Sequence, residues 1–321
     1  MHAEGLVPSL VRQKVPRRAV HGVLLLDKPL GLSSNDALQK VKRLLRAEKA
    51  GHTGTLDPLA TGLLPLCFGA ATKFSQVSLE ADKTYRATVR LGVRTSTGDA
   101  EGEVLQERPV AVTPQQLLQA CMQFMGPIQQ VPPMHSALKR DGKALYEYAR
   151  AGIEVEREPR TVTIFSIEVL SWQGASIEIE VRCSKGTYIR TLAEDIGEAL
   201  GCGAHLTALR RTGSGPVGLG DAYTLAQLEA MSEAERDACL QPVDALLADW
   251  PVLRLEAEDA GRFLSGMRRR TAHADAERLR VYGPQPAAFL GSGSVKAGEL
   301  ISTRLLSPLE VQGLLNAQAS Q

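Results

Sequence analysis

The chain has 321 residues, of which 44% are hydrophobic and 23% are charged, and its formal net charge is +1. This length and composition are ordinary for a globular protein with one large domain and one small domain. No apolar run approaches the roughly 18 residues that a membrane-spanning helix needs, so we expect no membrane association. The phosphate-binding pattern G-x-x-x-x-G-K-[ST] does not occur, so nothing in the sequence indicates a bound nucleoside triphosphate.

Cysteine and histidine spacing predicts neither a disulfide framework nor a metal site. The five cysteines form no C-x-x-C pair, and the six histidines form no H-x-x-x-H pattern. Such cysteine usage is typical of a reducing cytosol, so we expect a cytoplasmic location. Residues 1–20 are basic and lack the apolar core of a signal peptide. They are predicted to form a flexible basic arm.

The first predicted elements are a buried strand and an amphipathic helix. The strand lies in the apolar run 21–29, which ends in proline. Ser33 or Ser34 is predicted to cap the helix, because an apolar stripe follows at helical spacing. Residues 85–91 alternate between apolar and polar side chains, which indicates a half-buried strand.

The middle of the chain mixes helices and strands. Residues 113–116 (TPQQ) form a capping box that predicts a helix. Residues 161–170 and 176–183 alternate as strands, and a helical stripe begins at Ile189. No βαβ unit is repeated. The pattern therefore favours an α+β domain over residues 21–250.

The last part of the chain is predicted to be a small β-rich module. Residues 241–251 are predicted to be a linker. A helical piece around Phe263 follows, and then short strand-like runs separated by Gly-Pro and Gly-Ser-Gly turns. Such a turn-rich sequence favours a β domain of about 70 residues over 251–321. A structural cap without a ligand is the alternative.

The run 51–62, GHTGTLDPLATG, is the strongest functional signal in the chain. One carboxylate, Asp57, stands among small, neutral and turn-forming residues. The three glycines permit a close approach of backbone or ligand, and Pro58 pushes Asp57 out of the helical region onto a rigid turn. An ordinary Asp-Pro turn would not explain the four hydroxyl or imidazole side chains in the same loop. The pattern indicates an active-site loop built around one acid.

This run resembles the corresponding motif of the bacterial tRNA pseudouridine-55 synthases of the TruB family. The match continues, in chain order, through KTYRATVRLGVRTSTGDAEG (83–102), VPPMHSALKRDGKALYEYARAGI (131–153), SKGTYIRTLAEDIG (184–197) and AHLTALRRTGSG (204–215). Five motifs in unbroken order are far more specific than a single pattern. The resemblance implies a mixed-sheet pseudouridine synthase catalytic domain, followed by a PUA-like RNA-binding domain.

The resemblance also implies the reaction. Conversion of uridine to pseudouridine at position 55 of the tRNA T-loop breaks the N1–C1′ bond and rejoins the uracil through C5. The chemistry requires no cofactor, since one carboxylate is enough. Asp57 is implied to be that carboxylate; attack at C1′, attack at C6 and removal of the C2′ proton all stay open. Arg190 is the candidate partner of Asp57, because a guanidinium can hold both carboxylate oxygens.

The remaining implied roles concern the substrate. A base in a folded T-loop must be flipped into a pocket and stacked on an aromatic ring. Tyr85 is the candidate platform and is implied to assist deprotonation at C5. Tyr188 is implied to contact the base or sugar, and Leu209 to form an apolar wall. His52 is assigned to substrate binding, and Lys28 to substrate binding or to support of the loop. For each residue, a structural role is the alternative.

Segment 131–160 is predicted to be an insertion that clamps RNA, because it interleaves cations with tyrosines. Its construction argues against the guide-RNA-dependent relatives. We expect a monomer that binds the T-arm of tRNA without a guide RNA. Asp99 is given a structural role in a turn, whereas Arg210 and Arg211 are expected to reach phosphates.

Two other functions were weighed against this one. An RNA-binding and folding protein would have no need for the set Asp57, Tyr85 and Arg190, although assistance to tRNA folding could coexist with modification. A nucleoside hydrolase would need a second acid to activate water, and nothing near Asp57 in the sequence offers one.

Overall fold

The computed structural model describes residues 16–285 and 288–319. Up to residue 224 its strands are β1 (Gly22–Lys28), β2 (Ala50–His52), β3 (Ala60–Phe68), β4 (Lys83–Leu91), β5 (Val93–Thr95), β6 (Val104–Glu107), β7 (Gly126–Gln130), β8 (Lys139–Arg140), β9 (Lys143–Ala144), β10 (Arg160–Gln173), β11 (Ser176–Cys183), β12 (Ala204–Ser214), β13 (Val217–Gly218) and β14 (Tyr223–Thr224). The α-helices of the same part and the segment after it are α1 (Ser34–Leu44), α2 (Ser75–Glu80), α3 (Pro114–Gln123), α4 (Leu145–Arg150), α5 (Ile189–Ala199), α6 (Leu225–Ala230) and α7 (Glu233–Ala238).

One large mixed sheet organises this part of the chain. Its strand order is β14-β1-β3-β12-β4-β11-β10-β7, with β2 attached to β3 and β13 attached to β12. Most neighbours are antiparallel, but β1 and β14 run parallel, as do β12 and β3. One core lies between α5 and strands β4 and β11, and another between α1 and strands β1 and β3. The predicted α+β fold with a mixed sheet is confirmed.

The predicted helix starts are present. The Ser33 hydroxyl accepts the backbone N–H of Asp36 at 3.1 Å and caps α1. Thr113 and Gln116 form the capping box of α3. In contrast, β12 was recognised as a motif and not as a strand, because its adjacent arginines obscure the alternation. It lies at the centre of the sheet, between β3 and β4.

The C-terminal part is a separate β-rich unit, as predicted. Its elements are β15 (Val252–Arg254), α8 (Ala257–Leu264), β16 (Arg269–Arg270), β17 (Ala276–Tyr282), β18 (Phe289–Lys296), β19 (Glu299–Leu305) and α9 (Pro308–Ala319). The five strands form a sheet in the order β15-β17-β18-β19-β16. Phe263 of α8 packs with Leu279 and Val281 in the core of this unit.

The predicted linker 241–251 is packed instead of exposed. Leu246 and Leu247 are buried in a core that also contains Phe74 of the catalytic domain and Phe289 of the C-terminal unit. The two phenylalanine rings meet edge to face with centroids 5.1 Å apart. Apolar burial on both sides of this segment therefore joins the two units through one hydrophobic core.

Most of the predicted basic arm, residues 1–15, lies outside the described residues. The end of the arm is not free, because Arg18 forms an ion pair with Asp237 and a β-bridge with Ala47. Residues 16–20 therefore belong to the packed domain. No helix within the described residues is long and apolar enough to cross a membrane.

Candidate active site

The loop between β2 and β3 carries Asp57, and hydrogen bonds with residues 31–34 hold this loop in place. The Ser34 hydroxyl accepts the Leu56 N–H at 2.8 Å, and the Gly31 N–H donates to the Pro58 carbonyl at 2.8 Å. Gly54 has a φ of +77°, a region that favours glycine. The loop is thus held at both sides of Asp57, as expected for a rigid turn.

Asp57 and Arg190 are in direct contact. Arg190, in the first turn of α5, places Nη2 at 2.9 Å from Oδ2 of Asp57. The arginine side chain is 7% exposed, whereas that of Asp57 is 45% exposed. The predicted pairing is therefore present, and it leaves the carboxylate open to a ligand while the guanidinium is fixed in the protein.

Arg190 has a second carboxylate partner, which sequence reasoning missed. Its Nη1 lies 3.3 Å from Oδ2 of Asp99, whose side chain is only 5% exposed. Two backbone carbonyls, those of Thr97 and His135, accept further hydrogen bonds from the guanidinium. Asp99 is held in its turn by the Thr97 hydroxyl at 2.5 Å. The expected structural role of Asp99 thus includes fixing the orientation of Arg190.

A cavity of about 380 Å³ opens beside Asp57. Its walls include four of the other predicted site residues: Tyr85, Tyr188, Arg190 and Leu209. A larger cleft of about 730 Å³ lies where the two units meet, beside Trp250 and Arg278, and contains none of the predicted site residues. The smaller cavity is the candidate active site because it contains Asp57 together with the predicted aromatic and apolar residues.

The two tyrosines reach the cavity from different elements. Tyr85 lies on β4, where burial raises the pKa of its phenol. Tyr188 precedes α5 and exchanges two backbone hydrogen bonds with the side-chain amide of Gln130. Burial also raises the pKa of Tyr188. Both phenols are therefore neutral at pH 7 in the free protein.

Lys28 and His52 are placed behind the loop and do not line this cavity. The fully buried Lys28 donates from Nζ to the carbonyls of Pro29 and Leu32 at 2.9 and 2.6 Å. Burial lowers its pKa to about 8. His52 ends β2 and is half-buried, and burial lowers its pKa. This placement favours loop support for Lys28 over direct contact with a substrate.

The adjacent arginines of β12 differ from each other. Arg210 pairs with Asp27 at 2.7 Å and is 40% exposed, so it can still reach a phosphate. Arg211 is 1% exposed and forms part of the cavity wall. The expectation that Arg211 reaches phosphates is therefore wrong, because its position opposite β4 buries it inside the sheet. The sequence signal that could have identified it is the strand alternation of β12.

The predicted clamp 131–160 contains the β8–β9 hairpin and α4 and presents its cations to solvent. The exposed members are Lys139, Arg140, Lys143, Arg150 and Arg160. Arg150 stacks over the ring of Tyr146, 5.3 Å from its centroid. The segment also contributes Ser136, Ala137 and Leu138 to the cavity wall. Five acids of the segment are also exposed: Asp141, Glu147, Glu154, Glu156 and Glu158. The segment therefore connects a surface of mixed charge with the candidate active site.

Side chains that could hold a metal ion are not grouped within the described ranges. No cluster of three or more His, Cys, Asp or Glu side chains occurs there in an arrangement suited to a metal. The five cysteines are free and buried. The polar groups that line the cavity are instead the exposed carboxylate of Asp57, two phenols, four Ser and Thr hydroxyls, the exposed Lys185 and the buried cations Lys83, Arg190 and Arg211.

Comparison with known proteins gives consistent matches over most of the chain. A family model described as "TruB family pseudouridylate synthase (N terminal domain)" matches residues 42–189, and one described as "tRNA pseudouridylate synthase B C-terminal domain" matches residues 190–248. The chain is 59% identical to the tRNA pseudouridine synthase B of Verminephrobacter eiseniae over 97% of this chain and 96% of that protein. It is 63% identical to the tRNA pseudouridine synthase B of Ralstonia nicotianae over 91% of this chain and 96% of that protein.

A solved structure supports the fold. A chain from the crystal structure of a Cbf5-Nop10-Gar1 complex has a TM-score of 0.69 and is 26% identical to this chain. The alignment covers 89% of this chain and 85% of the other. The similarity therefore extends over both the catalytic part and the C-terminal unit.

Proposed function

The chain belongs to the TruB family of pseudouridylate synthases, and from this membership we propose that it isomerises uridine 55 in the T-loop of tRNA. It is an isomerase enzyme. The relatives with 59–63% identity are tRNA pseudouridine synthases B, so tRNA is the proposed substrate. The observation that carries the proposal is the half-exposed carboxylate of Asp57, held by Arg190 at 2.9 Å at the edge of an aromatic cavity.

Asp57 is the proposed nucleophile or base of the reaction. An ionised carboxylate can add covalently to the substrate or remove a proton from the sugar. Arg190 restrains one oxygen through Nη2, while the exposure of the Asp57 side chain leaves the carboxylate accessible. The reaction breaks the N1–C1′ bond, forms the C5–C1′ bond, releases the C5 proton and adds a proton to N1. The uracil stays in the cavity between these steps.

Base flipping is the proposed route of the uracil into the cavity. Stacking on an aromatic ring contributes about 1–3 kcal/mol per base. Tyr85 supplies such a ring, and Leu209 supplies an apolar wall next to it. Tyr85 also accepts the proton from C5 in this proposal, and Tyr188 contacts the base or sugar. Lys28 supports the Asp57 loop from behind, and His52 is proposed to bind the substrate.

The proposed partner is the T-arm of tRNA, bound by a monomer without guide RNA. The exposed cations of segment 131–160 support a phosphate-contacting clamp beside the cavity. The C-terminal unit, 251–321, is proposed to be a PUA-like RNA-binding domain, with Arg268 and Arg270 exposed on its surface. The proposed location is the cytoplasm, where tRNA is available. Assistance to tRNA folding is a second proposed activity, because extraction of a base opens the tRNA elbow.

The direct test is incubation of the purified protein with an unmodified tRNA transcript, followed by mapping of pseudouridine at single-nucleotide resolution. The matched control is the same transcript with cytidine at position 55. We expect one modified position, in the T-loop of the first transcript only. Modification elsewhere with none at position 55 would refute the proposed site, and no modification of any transcript would refute the proposed substrate.

A further inference from the structure

Arg211 is a buried cation next to the cavity that has no carboxylate partner among the described residues. Arg211 is only 1% exposed, and its Nε donates a hydrogen bond to the Leu63 carbonyl at 2.7 Å. Its Nη2 is buried and has no hydrogen-bond partner. Arg190 and Arg210, in contrast, each contact a carboxylate. A buried charge without a counter-charge is costly, which indicates a role beyond packing.

The register of the sheet places Arg211 against Tyr85. Arg211 on β12 and Tyr85 on β4 are direct partners in this antiparallel pair. Residues directly opposite each other share a face of the sheet, with Cβ atoms about 4.5–5.5 Å apart. On the other side of the guanidinium, a Cβ atom added to Gly54 would lie 3.1 Å from Nη1. The guanidinium therefore lies between the Tyr85 strand and the loop that carries Asp57.

We propose that Arg211 is a positioning residue that acts through Tyr85, because its positive charge favours the ionised phenol that accepts the proton from C5. The inference rests on the proposed isomerisation. After the C5–C1′ bond has formed, the C5–H bond breaks and its electron pair restores the C5–C6 double bond. The phenol of Tyr85 first loses its own proton to solvent; the C5 proton then passes to the phenolate oxygen, and N1 of the uracil takes up a proton. Arg211 stabilises the negative charge on that oxygen before the transfer.

The other groups that face Tyr85 act in the opposite direction. Burial raises the pKa of Tyr85 most, and Cys183 on β11 and Asp57 on its loop raise it further. Arg211 lowers the pKa of Tyr85 by its charge and by its proximity to the hydroxyl. Lys83, at the start of β4, lines the same cavity, and burial lowers its pKa to about 8, with Arg211 contributing in the same direction. Arg211 is thus the one of these groups that lowers the pKa of Tyr85, while burial keeps the net pKa raised.

A direct contact between Arg211 and the RNA is the weaker interpretation. Arg211 borders the cavity, but its Nη2 atom is buried and its guanidinium lies between the Tyr85 strand and the Gly54 loop. A phosphate could reach it only if these groups moved. The inference therefore predicts an effect on the ionisation of Tyr85 and on turnover, and little effect on the affinity for tRNA.

The test uses 3-fluorotyrosine placed at position 85 of the full-length protein, since its phenol ionises at lower pH and its fluorine resonance reports the ionisation. The titration is compared among the parent, Arg211→Lys, Arg211→Met and Arg86→Met. Arginine stays protonated over the whole titration, so the difference between the parent and Arg211→Met isolates the charge. A lysine buried here is expected to lose its proton at lower pH, as Lys83 does. Arg86 is the matched control, because it neighbours Tyr85 in sequence but pairs with Glu180 on the other face. Circular dichroism over the same pH range checks that each variant is folded.

We expect the fluorine titration of Arg211→Met to lie about two to three pH units above that of the parent, as a unit charge a few ångströms away predicts at an effective dielectric constant near 20. Arg86→Met should titrate like the parent. On tRNA, Arg211→Met should lower kcat at least tenfold more than Arg211→Lys, with KM within about threefold. Equal titrations of the parent and the folded Met variant would overturn the inference. This measurement needs no tRNA, so its failure is distinct from a failure of the parent protein to form pseudouridine.

Discussion

Replacement of Asp99 by Asn tests whether the buried carboxylate fixes Arg190. The substitution keeps the size of the side chain and removes its charge. Asp99 and Arg190 are 5% and 7% exposed and lie 3.3 Å apart. Breaking a buried ion pair costs about 3–5 kcal/mol when one charge is left alone, and a hydrogen bond to a charged group contributes about 1.5–3 kcal/mol. Because Arg190 keeps its ion pair with Asp57 and its hydrogen bonds to two backbone carbonyls, we expect the smaller of these losses, about 1.5–3 kcal/mol in the free energy of unfolding.

The same substitution should slow turnover without weakening tRNA binding. A guanidinium held from one side only allows Asp57 to leave its reactive position. We expect kcat at saturating tRNA to fall about 10–100-fold, which corresponds to about 1.4–2.8 kcal/mol of transition-state stabilisation. KM should change little, because Asp99 is buried and does not line the cavity.

Thermal unfolding and a pseudouridine-formation assay at saturating tRNA measure the two effects. Glu101→Gln is the matched control, since this exposed acid belongs to the same turn and its side chain does not contact Arg190. Asp99→Asn should have a lower Tm and a lower kcat than the control. Identical values for both variants would refute the argument that Asp99 positions Arg190.

Three further predictions concern other parts of the molecule. Tyr85→Phe should retain tRNA binding and lose turnover, because it keeps the stacking ring without the hydroxyl, whereas Tyr85→Ala should impair both; equal, mild effects in binding and kinetic assays would reduce Tyr85 to a packing residue. Arg270→Ala should weaken tRNA binding and reduce the slope of log K against log salt by about 0.9 if it contacts one phosphate; an unchanged slope would argue against that contact. Burial lowers the pKa of Lys28 to about 8 from 10.5, so the folded protein releases this proton before the unfolded chain does. Stability relative to Lys28→Met should therefore rise with pH between about 8 and 10.5, and a fall of this difference in unfolding experiments would contradict the buried position.

Local signals in the sequence were sufficient for much of the fold. Capping at Ser33 and Thr113 and the alternation of β4 and β11 depend on neighbouring residues, so they were predicted correctly. The central strand β12 was missed, because paired arginines interrupt its apolar pattern. The packed state of 241–251 was also missed, since its partners Phe74 and Phe289 are far away in sequence.

The same distinction applies to the site. The contact between Asp57 and Arg190 was predicted from motifs, but the second carboxylate of Arg190 depends on a turn that folds back onto α5. Arg210 and Arg211 differ in burial because strand alternation turns them to opposite faces of the sheet. Arg210 lies beside Asp27, and Arg211 lies in the cavity wall. Pairings between distant segments and burial inside a sheet are set by tertiary structure, and single motifs do not encode them.

The proposed role of Asp57 is tested most directly by the substitution Asp57→Asn in a single-turnover assay with a tRNA transcript. The amide keeps the size of the carboxylate but cannot attack carbon or accept a proton. Because Arg190 retains Asp99, the variant should fold normally. The account predicts no detectable pseudouridine, with tRNA affinity within about tenfold of the parent, or roughly 1.4 kcal/mol. Turnover near that of the parent would contradict the assignment of Asp57.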